Sequence, residues 1–280
     1  MTITKFPIVF LLLLLLNGIA SAEPVYKPYI RASVTPTEVK DQLKAHHFEI
    51  IGEYKPFNDM VILIVTSDAL KQAVAQSEFG GYGVIQRVAI SGDQIFYTNP
   101  TYMAYVYRMS SDLAEVTSLL KEALGNKGEF GSKEGLTESQ LRQYKYMWGM
   151  PDFEDQLTLA EHPSYEQAVS TVETGLKAGK GGTKFIYRID IPNKEETIFG
   201  MALTDGEGAD KTIMETLNKV THAAYMPYEI LVSGNKVYML HGRFRIAISF
   251  PDLRMGSFMK IRKAPSAIEE AAKIVAQSEE

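Results

Sequence analysis

His241, Arg243 and Arg245 alternate with apolar side chains along 237–250, where Tyr238, Leu240, Phe244, Ile246, Ile248 and Phe250 take the intervening positions. A period of two predicts a strand with one apolar face and one face carrying Met239, His241, Arg243 and Arg245. Guanidinium and imidazole donors fixed along one face suit a small anionic or carboxylated ligand. Tyr97, Asn99 and Met103 fall at the corresponding places of an earlier, similar segment. The candidate ligand-binding set is therefore His241, Arg243, Arg245, Tyr97, Asn99 and Met103. Two other readings stand beside it: an ordinary solvated sheet face, and a surface on which two copies of the chain pair as a homodimer.

A second set, His222, Met226, Met239 and His241, offers soft-metal chemistry. The chain has no cysteine, which excludes thiol nucleophiles, thiolate metal sites and attached c-type haem. Thioethers and imidazoles remain, and these are ligands for Cu(I). Methionine is also a common filler of cores. Copper is thus an alternative, and no other cofactor is expected. The chain contains no G-x-S-x-G, H-E-x-x-H, Walker or dinucleotide-binding motif, so no catalytic residue is assigned and a hydrolytic enzyme stays a third reading. Asp152, Glu154 and Asp155 lack the glycine punctuation of a calcium loop. The glycines of 179–182 lead into a strand and not a helix, as in a helix-exit turn.

Lys5, the apolar run 6–16 and Ala20-Ser21-Ala22 occur in the order of a secretory leader cleaved before Glu23. The run is too short for a bilayer, which needs about 20 residues. The expectation is a periplasmic or secreted protein without a transmembrane anchor after cleavage. Formal net charge is −5, and loss of Lys5 makes the remainder more acidic. The one concentrated basic run is Lys260-Ile261-Arg262-Lys263. That balance argues against nucleic acid and leaves a small ligand or an envelope protein as the partner.

Residues 81–107 align without a gap on 223–249. In both, two apolar segments flank a tight turn, Gly92-Asp93 in one and Gly234-Asn235 in the other. Upstream, 62–68 resembles 199–205, with a short insertion near Gly206-Glu207-Gly208 absorbing the difference in spacing. Helices are predicted from Thr35-Pro36-Thr37-Glu38, over 111–124, from Ser164 with Ala168, Val172 and Leu176 inward, and over 266–276. The fold class is α+β: two tandem β-α-β(4)-α repeats with antiparallel sheets and helices on one face. The predicted organisation is 1–22 leader, 23–125 first unit, 126–157 linker with a short amphipathic helix, and 158–280 second unit. The linker helix begins at a Thr137/Gln140 capping box and carries Tyr144, Met147 and Trp148, the only tryptophan, predicted to staple the two units together.

Segments 35–48, 62–77 and 83–103 of the first unit, and 165–179 and 226–258 of the second, resemble domain-of-unknown-function family 302. Phe250-Pro251-Asp252-Leu253 with Met255-Gly256-Ser257-Phe258, and Asn99-Pro100 earlier, look like closing segments of that family. The resemblance implies a TATA-binding-protein-like β-α-β(4)-α fold and carries no catalytic residues. The acidity and the leader make it a likeness of architecture, not of DNA binding.

Overall fold

The computed structural model describes residues 23–277; the expected leader, 1–22, lies outside them. The chain is mixed α+β with antiparallel sheets. The first half contains β1 (Val25–Tyr26), β2 (Tyr29–Arg31), α1 (Val39–Ala45), β3 (Glu49–Phe57), β4 (Met60–Thr66), α2 (Asp68–Ala75), β5 (Gln86–Ser91), β6 (Gln94–Thr98), α3 (Pro100–Val106) and α4 (Ala114–Leu124). A connecting region holds β7 (Glu129–Phe130), β8 (Leu136–Thr137) and α5 (Glu138–Arg142). The second half has β9 (Leu157–Glu161), α6 (Tyr165–Lys177), β10 (Thr183–Asp190), β11 (Glu196–Leu203), α7 (Asp210–Leu217), β12 (Tyr228–Ser233), β13 (Lys236–Met239), α8 (Gly242–Ser249), α9 (Met255–Phe258) and α10 (Ala264–Ala276).

One sheet runs β3-β4-β5-β6-β2-β7 and the other β10-β11-β12-β13-β9. Strand for strand the first five of one follow the order of the other. Both central hairpins turn on a glycine with φ of +54°, Gly92 and Gly234, a conformation that an L side chain resists. Helices α1 and α4 pack together beside the first sheet, as α6 and α10 do beside the second. Ser164 caps α6 by accepting from the Gln167 N–H at 3.3 Å, and Ala168, Val172 and Leu176 are buried beneath it as the spacing predicts. Helix α1 starts later than its signal: Thr35 and Glu38 bond side chain to side chain at 2.6 Å in a turn that precedes it.

Along the central strands the second face of each sheet is not wet. The 3-10 turn at Gly80–Gly83 packs on β11 and β12, and the one at Val220–Tyr225 packs on β5 and β6. Every residue of β11 is buried, as are the first four of β5 and the first five of β12. An antiparallel strand with one wet face would alternate; these do not, because the two sheets close on each other within one chain. The connecting region joins this body. Strand β7 adds to the first sheet beside β2, and β8 pairs with β1. Helix α5 begins with the predicted capping box, both of whose hydrogen bonds are formed.

Two expectations are corrected. The strand read over 237–250 stops at Met239, and Gly242–Ser249 is the helix α8. Phe244, Arg245, Ile246, Ala247, Ile248 and Ser249 are all buried. A helix enclosed nearly all round has no apolar stripe at its own period, so the chance alternation of residue types misled. Trp148 is 98% exposed and Met147 is exposed as well, so they staple nothing. Tyr144, the third residue of that expectation, does form a tie: its hydroxyl donates to the Ala247 carbonyl at 3.2 Å and that of Tyr146 to the Leu253 carbonyl at 2.6 Å, which fastens the connecting region to the second half.

Candidate functional site

The six residues of the anion-binding set do not share one environment. His241 and Asn99 hold equivalent places, each the residue before a helix that follows the second hairpin strand. His241 Nδ1 accepts from the Arg243 N–H at 3.2 Å and caps α8. Burial, and then the Arg243 guanidinium, hold its ring below the ordinary imidazole range. Asn99 is fully buried and donates to the Lys27 carbonyl at 3.0 Å. Tyr97 donates to the Gly125 carbonyl at 2.7 Å, and Met103 is core.

Arg243 and Arg245 part company because two positions on a helix point in nearly opposite directions. Arg245 turns into the space between the sheets, where its Nε donates to Glu229 at 3.3 Å and Nη1 to the Ser249 hydroxyl at 2.6 Å. Its guanidinium also lies over the rings of Tyr225 and Tyr228. Glu229 pairs on its other side with Arg87, from the first half, and the two arginines and the glutamate are each at most 2% exposed. Burial, and secondarily Arg245, lower Arg87 to about 10. The triad holds two guanidinium groups on one carboxylate, a net charge of +1, and ties β5 of the first sheet to β12 of the second.

The metal alternative finds its residues in separate surroundings. The His222 ring stacks on Phe250 and meets Tyr29 and Phe130 edge-on, and burial pushes it down to about 4. Met226 and Met239 are buried, Met226 before a cis proline and Met239 opposite Leu157 in the sheet. Among the described residues no three of His, Asp and Glu come together as a metal-holding group.

Arg243 points outward into a groove of about 280 Å³. Ile246, Ala247, Leu253, Met255, Phe258 and Met259 supply apolar walls, with Tyr146 and Met150 from the connecting region and Arg262 as a second guanidinium in the lining. None of the described residues lining it is acidic. No carboxylate pairs with either arginine among the described residues, and Arg262 makes only a long contact of 3.5 Å to the Met259 carbonyl. Helix α8 positions Arg243, while the turn at α9 and the 3-10 segment Met259–Ile261 present the sulfur and aromatic wall. A polar cavity of about 410 Å³ adjoins it through Leu253, with Lys133, Lys219 and Arg254 against Asp252 and the His222 ring.

Only Arg243 of the sequence-derived set reaches this groove. Arg262 lay in the basic run noted in the sequence, and Met255, Phe258 and Met259 precede it. Four-residue helices are too short to show a period, so composition alone pointed there. No family model, curated protein or solved structure matches the chain.

Proposed function

We propose that the chain is an exported, duplicated β-α-β(4)-α protein of the family it resembles, acting without catalysis as a binding module for a small carboxylate with an apolar body. The observation that carries this reading is the groove beside α8, an apolar trough with unpaired guanidinium groups of Arg243 and Arg262 at its rim. Apolar walls with a few convergent polar groups are the usual build of a small-molecule site. Guanidinium binds carboxylate by parallel, charge-assisted hydrogen bonds, which gives orientation as well as affinity. The identical strand order of the two sheets supports the duplication, and the leader motif supports export.

Calorimetric titration with decanoate, with decanol as the uncharged control, tests the proposal. Decanoate is expected to bind and raise Tm, as any ligand of the native state must, and decanol to bind much more weakly. Arg243→Gln should weaken decanoate by about tenfold or more, the scale of a lost charge-assisted bond. Equal binding of acid and alcohol, or an unaltered Arg243→Gln variant, refutes the carboxylate reading.

A further inference from the structure

Trp148 sits 98% exposed, between Tyr146 and Met150, both of which line the groove beside α8. Across that groove Met255 and Met259 are also exposed, at 44% and 47%. Tyr146 ties the two segments together through its bond to the Leu253 carbonyl. Tyr146 and Met150 thus place Trp148 beside the groove that Met255 and Met259 line, and an exposed apolar cluster rimmed by charged side chains marks an interaction surface.

The charge around this face runs against that of the chain. Overall the protein carries −5, yet from Leu253 to Ile268 there is no acidic residue, while Arg254, Lys260, Arg262 and Lys263 all occur there. Each of these four is exposed. Lys263 pairs with Glu207 at 2.9 Å. Arg254, Lys260 and Arg262 have no carboxylate partner among the described residues. Asp252, two residues before Arg254, accepts the Lys133 N–H at 2.8 Å, and Asp152, four residues after Trp148, pairs with Lys145 at 3.2 Å.

From this juxtaposition we infer that the face of Trp148, Met255 and Met259, ringed by Arg254, Lys260 and Arg262, docks on the surface of an anionic phospholipid bilayer. Tryptophan prefers the headgroup level, where its ring is buried and its N–H stays wet. Basic residues beside it gain from the negative surface potential within a Debye length. The apolar area is small, so the contact is reversible and salt-sensitive, unlike insertion. The face shares Met255, Met259 and Arg262 with the carboxylate groove, whereas Trp148, Arg254 and Lys260 are not among the residues lining it, so variants at these three test the face separately.

The test uses protein recovered from the producing cells, its N-terminus read by mass spectrometry, and vesicles of phosphatidylcholine with and without phosphatidylglycerol. Because Trp148 is the only tryptophan, its emission reports on this face alone. Expected are cosedimentation with the anionic vesicles, a blue shift of the emission, and release by salt. Lys260→Gln should lower partitioning about fivefold. Trp148→Ala should lower it further without changing Tm, and Lys44→Gln, on the exposed side of α1, should leave it unchanged. Equal partitioning to both vesicles, sedimentation without a spectral shift, or Lys260→Gln and Trp148→Ala variants that bind like the parent would overturn the inference. Decanoate affinity, measured on the same variants, should not move.

Discussion

Asp210 and His222 are buried ionisable groups whose displacements run in opposite senses. Asp210 Oδ2 accepts from the Tyr54 hydroxyl at 2.7 Å and the Leu203 N–H at 3.1 Å, yet burial outweighs both bonds and raises it to about 7. An unfolded carboxyl ionises near 3.9, so its contribution to stability is full below that pH and is lost as pH rises through about 7. His222, held down to about 4 by burial, works the other way. The unfolded ring takes a proton near pH 6.5, so its contribution is full above that and is lost as pH falls toward about 4, by roughly 3 kcal/mol. The two effects offset each other across much of one window. Asp210→Asn should therefore give a Tm that climbs from pH 4 to pH 6.5, and His222→Gln one that declines over the same range. Parallel calorimetric profiles for the two variants would sink this account.

Among the elements, β10 and β11 show how one small residue positions a large one. Their register shifts between Phe185 and Tyr187, and the Tyr187 ring lies flat where a side chain on Gly200 would stand. A Cβ there would come within 2.2 Å of the ring. Tyr187 is fully buried facing Arg87 and Arg245, which partly counter the burial that raises its phenol to about 12. Gly200→Ala should cost about 1–3 kcal/mol by overpacking, measured by urea unfolding, while Gly256→Ala, with open space around it, should cost nothing comparable. The hairpins, the α5 capping box and the face of α6 were legible in the sequence because each rests on neighbours a few residues apart. Helix α8 was not, since burial on all sides removes the polar stripe by which a helix is recognised.

Across the whole molecule the two sheets are joined by polar contacts as well as apolar ones. Tyr54 reaches Asp210, Tyr29 donates to the Ser249 carbonyl at 3.1 Å, and Tyr102 to that of Ile248 at 2.9 Å. At the centre stands the Arg87, Glu229 and Arg245 triad. Its formation is weak evidence of net stabilisation, but breaking it leaves two guanidinium groups buried without a counter-charge. Glu229→Gln should cost about 3 to 5 kcal/mol and shift a single unfolding transition as a whole. Two separate transitions in the parent protein would show that the halves are not coupled in this way.

By itself the sequence excluded thiol chemistry, established the acidity that sets the basic segment at 253–268 apart, and marked turns and helix starts, all of which depend on composition or on short-range geometry. It named Arg243 and Arg245 together, because one strand would have put them on one face. Only the tertiary structure separated them, sending Arg245 to Glu229 inside and Arg243 to the groove outside, and left Trp148 in water beside the same groove. Those outcomes depend on which segments meet across the chain, Arg87 with Glu229 and Tyr146 with Leu253, and contacts at such separations leave no periodic trace in the residues that make them.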